Sequence, residues 1–307
     1  MSILSKIVSH IALLKEMNSR LIKIQNGVGR IEQRQLAGAN DCCLVNNEFQ
    51  VYSQWGEDGI IQFLLNKVAI DRPIFVEFGV EQYTESNTRF LLINNNWSGL
   101  VIDGSESNIN YIKRDPIYWK YNLKAECAFI DKDNINNLIE KNGISGDIGL
   151  LSVDIDGNDY WVWNEINVVN PRIIICEYNS IFGPEERVTI PYSASFFRTD
   201  SHYSNLYYGA SISALTQLAN SKGYALVGGN QAGNNVFFVR RDLMHNLKEM
   251  SPQDAYVKSK FRESRDEGGN LTFLSMDERL RLLKDMKVVN IDDSKEYSIG
   301  DVYHIQG

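Results

Sequence analysis

Four apolar runs in this chain of 307 residues end in acids: Glu77 just before Gly79, Asp103 beside Gly104, Asp154 followed by Asp156, and Glu177 followed by Asn179. Carboxylates accept hydrogen bonds, attract cations and repel phosphate, so a site built from these ends suits a ligand offering hydroxyls, amines or a positive centre. That disfavours a nucleoside triphosphatase. The turn after the first run, EFGVEQY (77–83), puts Glu81 where a pyrophosphate-binding G-x-G-x-x-G loop needs its second glycine, which argues against a dinucleotide dehydrogenase as well. Asp103 stands where an acid accepts both hydroxyls of a ribose in dinucleotide folds. A ribose joined to a cationic centre is the chemistry of S-adenosylmethionine, and Glu77, Gly79 and Asp103 are its expected binders. Singly, each acid reads equally well as a solvated loop carboxylate; two on consecutive run ends, each near a glycine, favour the ligand.

Chemistry on a ligand hydroxyl needs a base, because the oxygen is a poor nucleophile until its proton leaves. Asp154, Asp156, Glu177 and His202 are the candidates. Asp154, Glu177 and Asn179 also offer an all-oxygen ligand set for Mg²⁺, which lowers the pKa of a bound hydroxyl and orients it. The competing reading makes Asp156 and Asp159 helix caps, since short acids favour helix starts. His202 titrates in a range suited to a base, and as a histidine in a polar insert it reads equally as solvated. Trp163, three positions after Tyr160, has the spacing of a buried helix face. Tyr192, Phe196, Phe197, Tyr203, Tyr207 and Tyr208 are either a sugar platform or the packing of a lid.

The elements that must position these groups alternate. Helical periodicity at 57–69 precedes a strand within 74–80; a helix near 86–95, a strand at 99–104, a helix near 106–115, a strand around 124–130 and a helix around 134–142 follow. Strands at 148–156 and 172–179 are apolar without alternation, as buried parallel strands are. Periodicity lapses over 180–209, a stretch long enough to suggest a functional lid. A helix at 210–222 then stops at Gly223 and leads into a hairpin, YALVGGN and NNVFFVRR. The expected fold is α/β: a Rossmann-like, doubly wound, mostly parallel sheet with a final antiparallel hairpin, an N-terminal helix and a helical C-terminal tail. The expected division is a helix and linker at 1–47, the main domain at 48–242 with its insertion, and an extension at 243–307 with a helix at 277–287.

In the first segment Ile7, Ile11, Leu14, Met17, Leu21, Ile24, Val28 and Ile31 make a nearly regular heptad seam, and six basic residues against two acidic ones make it a basic helix on a protein of net charge −8. Self-association is the favoured reading and a peripheral membrane contact the alternative. Gly27 and Gly29 weaken both, each costing about 1 kcal/mol against alanine in a helix. The acidic balance argues against a nucleic-acid partner. No run of about 20 apolar residues offers a membrane span, and Lys6, His10, Lys15 and Glu16 interrupt any signal-peptide core. Cys42, Cys43, Cys127 and Cys176 lack metal or redox spacing, which fits a reducing cytoplasm, with the adjacent pair Cys42 and Cys43 the one candidate for reactivity.

Taken together, YSQWGEDGI (52–60), FVEFGV (75–80), VIDG (101–104), LLSVDIDGNDYWVW (150–163), ICEYN (175–179), YYGAS (207–211) and GNNVFFVRRDL (233–243) resemble the class I methyltransferases, and within them the FkbM-type group. The resemblance spans roughly 52–242, with aspartate replacing glutamate at Asp156 and Asp159. It implies an S-adenosylmethionine-dependent O-methyltransferase acting on a hydroxyl of a glycan or a sugar-containing (sugar-nucleotide) intermediate. It also implies that Gln54, Glu77 and Gly79 border the methionine end, Asp103 the ribose, and Phe129 and Ile130 the adenine, with Asp154 in the cofactor site as well as the catalytic one. The alternative is an inactive Rossmann-like protein that oligomerises through its first helix.

Overall fold

The computed structural model describes residues 3–37, 43–245 and 247–305. Cys42 lies outside the described residues, and with it one half of the adjacent pair named as a candidate for reactivity. Seven strands form the central sheet: β1 (Ile74–Phe78), β2 (Ser98–Asp103), β3 (Leu123–Cys127), β4 (Gly146–Val153), β5 (Val169–Glu177) and, beyond a two-residue β6 (Val188–Thr189) that belongs to another sheet, β7 (Tyr224–Gly229) and β8 (Asn235–Arg240). Their order is β3-β2-β1-β4-β5-β8-β7. The first five are parallel, and β8 runs antiparallel to both neighbours. This is the expected doubly wound sheet with its closing hairpin.

Side chains alternate through the sheet into two apolar layers. Val76, Phe78, Leu100, Ile102, Leu151, Ile174 and Phe238 face the helices at Ile135–Lys141, Asp159–Glu165 and Ile212–Ser221. Phe75, Val101, Leu150, Ile173, Ile175 and Phe237 face the helices at Glu57–Lys67, Arg89–Asn94 and Glu106–Arg114. Strands covered on both faces need no polar alternation, which is why they read as unbroken apolar runs. Trp163 is buried with its ring 5.1 Å from Phe238, so it belongs to the packing. Gly223, at φ +84°, turns the chain out of its helix as expected.

The C-terminal residues depart from expectation. The helix expected at 277–287 is Met276–Leu282, started by a Ser275–Glu278 capping box, and Lys287 already begins β9 (Lys287–Asn290). With β10 (Lys295–Ser298), β9 forms a hairpin around Asp292, Asp293 and Ser294, and β9 also pairs with β6. The β-branched Val288 and Val289 bounded by a turn of short polar residues override the helical periodicity. Leu283, Val288 and Ile299 pack against Ile181, Phe182, Val188, Ile190 and Leu206, so the tail braces the 180–209 insertion instead of trailing from the domain.

The N-terminal helix runs unbroken over Ile3–Ala37. Its second half docks: Asn26 donates to the Tyr52 hydroxyl at 2.8 Å, Gln25 to the Val51 carbonyl, and Gln33 to Gln62 at 2.7 Å. Gly29 is the contact point, because a Cβ there would lie 2.6 Å from Val51 Cγ2 and 3.0 Å from the Phe90 ring. The glycine expected to weaken the helix is what lets it approach the domain. Gly27 has only Arg30 nearby, at 3.9 Å. Gly27→Ala is therefore expected to raise stability by about 0.5–1 kcal/mol and Gly29→Ala to lower it by about 1–3 kcal/mol, read from urea denaturation midpoints.

Candidate functional site

Strand order reverses between β1 and β4, and the crevice beyond their carboxyl ends is where an open α/β sheet binds ligands. Two cavities of ≈380 and ≈680 Å³ open there and share Gly79, Glu81, Asp154, Asp156, Arg198 and Glu263, so they form one cleft with two halves. Gly79, at φ +68°, makes the junction possible: a Cβ there would sit 1.8 Å from the Asp154 carbonyl oxygen. Only glycine lets the β1 turn pass this close to the end of β4.

The larger half is lined by Asp103, Asn108, Phe129, Ile130 and Phe197. Asp103 accepts from the Glu81 amide at 2.7 Å and from the Ser105 amide and Asn108 side chain at 2.8 and 3.0 Å, which fixes its carboxylate and ties the first turn to β2. Oδ1 takes the Ser105 and Asn108 bonds, whereas Oδ2 takes only the Glu81 amide and keeps a lone pair for a ligand hydroxyl. Phe197, from the insertion, stacks on Phe129 with ring centroids 5.6 Å apart, closing the apolar side. Glu81 takes a left-handed conformation at φ +47°, where glycine would be unstrained, and presents an exposed carboxylate to both halves.

The smaller half holds the acids. Carboxylate oxygens of Asp154, Asp156 and Glu177 lie within 4.8 Å of one another. Glu177 is 7% exposed, and its Oε2 is buried without a hydrogen-bond partner. Burial, then the Asp154 and Asp156 charges, pushes the Glu177 pKa well above the carboxylate range; burial, then Asp156 and Asp159, does the same to Asp154. Arg198 from the insertion offsets part of this charge. Its guanidinium pairs with Asp156, lies 3.5 Å from Glu263, and sits 3.9 Å over the Tyr208 ring. An all-oxygen donor set with an orphaned buried oxygen fits a hard divalent cation.

Not every sequence candidate joins this cluster. Asn179 does not supply the third oxygen: its amide donates to the Leu206 and Tyr208 carbonyls at 2.9 and 3.0 Å, and its Oδ1 accepts from the Ile181 amide at 3.1 Å. Asp156 takes that place. His202 lies outside the residues lining either half; its Nδ1 is 2.7 Å from Ser204 Oγ, its ring stacks on Tyr203, and burial lowers its pKa. Asp159 is fully buried and accepts from the Ile155 and Gly157 amides at 2.8 and 2.9 Å, so it shapes the turn that carries Asp154 and Asp156. Glu77 reaches the acidic half, yet its oxygens accept from the Asn87 and Thr88 amides and the Thr88 hydroxyl.

Gln54 lines the acidic half beside Trp55, on a loop pinned by two buried acids. Asp58 accepts from the Val51, Tyr52 and Ser53 amides at 2.6 to 2.8 Å, and Glu57 from Asn230 and Asn235 of the final hairpin. Arg198, Phe261 and Glu263 escaped the sequence reading as site residues, whereas Tyr208, one of the insertion aromatics, lines the acidic half. Phe261 stacks on Trp55 with centroids 6.3 Å apart, a contact between segments about two hundred residues apart that no local pattern announces.

No protein-family model and no curated protein matches the chain. Solved structures similar to it include the N-terminal domain of EvdMO1 with SAH bound, at 12% identity and TM-score 0.41 over 69% of this chain and 96% of that one. Others are an S-adenosylmethionine-dependent methyltransferase from Clostridium acetobutylicum ATCC 824, at 9% and 0.39 over 60% and 89%, and PKMT2 from Rickettsia typhi in complex with AdoHcy, at 10% and 0.37 over 55% and 49%. Likeness at this level carries no statement about activity.

Burial holds Asp58 and Asp159 at about 6 and Glu77 at about 7. These folded values exceed the unfolded ones, so the folded chain binds more protons in that window, and stability falls as pH rises from about 4 to about 7. Thermal melts in chelator are expected to show the melting temperature dropping between pH 5 and pH 8. A maximum near pH 8 would contradict this electrostatic picture.

Proposed function

We propose that the chain is an S-adenosylmethionine-dependent O-methyltransferase of the FkbM type, acting on a hydroxyl of a glycan or a sugar-containing intermediate. The observation that carries this reading is the single cleft whose one half pairs Asp103 with aromatic walls while the other crowds three carboxylates around a buried, unpartnered oxygen. On this reading Asp103 accepts from the ribose through Oδ2, Phe129, Ile130 and Phe197 bracket the adenine, and Gln54, Gly79 and Glu81 border the methionine end. Glu81 adds a carboxylate for its ammonium group.

The acceptor hydroxyl meets the acids. Glu177, with its raised pKa and free Oε2, takes the hydroxyl proton as the oxygen attacks the methyl carbon and the carbon–sulfur bond breaks, leaving a neutral thioether. Asp154 orients the hydroxyl, and Arg198 keeps the assembled charge tolerable before the acceptor arrives. A divalent cation, where bound, would be held by Asp154, Asp156 and Glu177 and would lower the pKa of the acceptor hydroxyl.

Calorimetry with S-adenosylmethionine and its demethylated product tests the cofactor; no heat with either at about millimolar concentration counts against the reading. With labelled cofactor and cell-derived glycan precursors, Asp154→Asn and Glu177→Gln are expected to lose about a hundredfold or more in rate while keeping fold and cofactor binding. His202→Ala is expected to stay near the parent. Abolition by EDTA and rescue by Mg²⁺ would assign the acids to metal binding, whereas indifference would leave Glu177 a metal-free base. Near-parental rates in both amide variants would remove these acids from the mechanism.

The first half of the N-terminal helix favours a second role. Ile7, Ile11, Leu14, Met17, Leu21 and Ile24 are about half exposed or more, although no helix among the described residues is long and apolar enough to cross a membrane. On this reading the seam joins two copies of a cytoplasmic protein. Deleting residues 1–21 spares the docked half, and light scattering should then report a smaller particle. Unchanged mass with loss of liposome binding would instead support a peripheral membrane contact.

A further inference from the structure

The segment 258–263 serves two cavities. Phe261 and Glu263 line the acidic half of the cleft, whereas Lys258, Ser259 and Arg262 line a separate cavity of ≈380 Å³ completed by Phe273, Ser275, Glu278 and Arg279. Arg279, only 4% exposed, donates from Nε to the Leu274 carbonyl at 3.0 Å and from Nη2 to the Phe261 carbonyl at 3.1 Å. Arg262 lies 5.0 Å over the Phe273 ring and reaches only the Phe273 carbonyl, at 3.4 Å. The ion pairs nearby, Arg198–Glu263 and Arg265–Glu263, include none of these three cations. Glu278, the one acid in the lining, accepts from the Ser275 amide at 2.7 Å in its capping box.

Three positive charges thus face one cavity against a single committed carboxylate, in a chain where Asp and Glu number 39 and Lys and Arg 31. A guanidinium buried on backbone carbonyls alone is costly unless an anion completes its surroundings. Arginine's planar fork matches phosphate oxygens, and lysine adds a point charge. We propose that Lys258, Arg262 and Arg279 bind a phosphoryl or diphosphoryl group. The Phe261 carbonyl is bonded to Arg279 and its ring stacks on Trp55 in the cleft, so the anion steadies the wall that faces the acceptor. The further step, that this group belongs to the acceptor as in a sugar phosphate or nucleoside diphosphate sugar, rests on the methyltransferase reading; the anion site does not.

The test titrates the full-length protein at low salt with inorganic pyrophosphate, with uridine diphosphate, and with phosphatidylcholine vesicles carrying phosphatidic acid. Pyrophosphate and uridine diphosphate are expected to bind, and raised salt to weaken them. Binding to the vesicles alone would keep the site and assign its phosphate to a lipid headgroup. Lys258→Gln with Arg262→Gln, both exposed positions, should weaken binding by about tenfold or more, and Arg279→Lys, which keeps charge and loses the fork, should weaken it as well. Should Arg279→Lys fail to fold, the exposed pair still decides. Failure of every phosphate probe to bind would overturn the proposal, as would binding that survives Lys258→Gln with Arg262→Gln. Pyrophosphate binding without any S-adenosylmethionine binding would sink the methyltransferase reading and leave the anion site standing.

Discussion

Negative charge gathered in one poorly solvated place governs how the rest of this molecule is arranged. Asp154, Asp156 and Glu177 converge because parallel strands deliver their last residues to one edge, and an isolated fold would avoid that convergence. Arg198 crosses from the insertion to relieve part of the repulsion, and that contact fixes where Phe197 lands on Phe129. Asp159 and the Gly79 approach hold the same turn from below. The orphaned Glu177 oxygen marks what these arrangements leave undone, and sites that trade stability for function have this character.

The central sheet was legible because buried parallel strands announce themselves as apolar runs, and the acids at their ends followed from the same reading. Asp103 illustrates it: strand end, neighbouring glycine and ribose-type position are all local facts. Asn179 shows the limit. Its residue type and place suit a ligand, yet the carbonyls of Leu206 and Tyr208, folded back from about thirty residues away, claim the amide. Arg198 sits in a stretch without periodicity, so nothing in its surroundings separated it from a solvated arginine. The heptad seam misled about Gly29, because the helix docks through the face of Gln25, Asn26, Gly29 and Gln33, while the seam residues Val28 and Ile31 stay about half exposed.

Two parts of the chain that looked peripheral prove structural for the cleft. The docked half of the N-terminal helix packs at Val51, Tyr52 and Phe90, beside the loop that presents Gln54 and Trp55. The tail supplies Phe261 and Glu263 and, through β9, an edge for β6. Domain boundaries drawn from composition would cut through both supports.

The pairing of β6 with β9 also sets an order of assembly. Val188 and Thr189 leave the ribosome roughly a hundred residues before their partners Asn290 and Val289, a delay on the order of ten seconds at about 5–20 residues per second. Every strand of the central sheet is synthesised before β9 exists, so the Asp103 side of the cleft can form while the insertion still lacks Leu283, Val288 and Ile299. The nascent chain thus passes through a stage in which a binding half is present and its opposite wall is not. Its exposed Val188, Ile190 and Leu206 would make that stage a client for chaperones, and a stop codon between β8 and β9 would make it permanent.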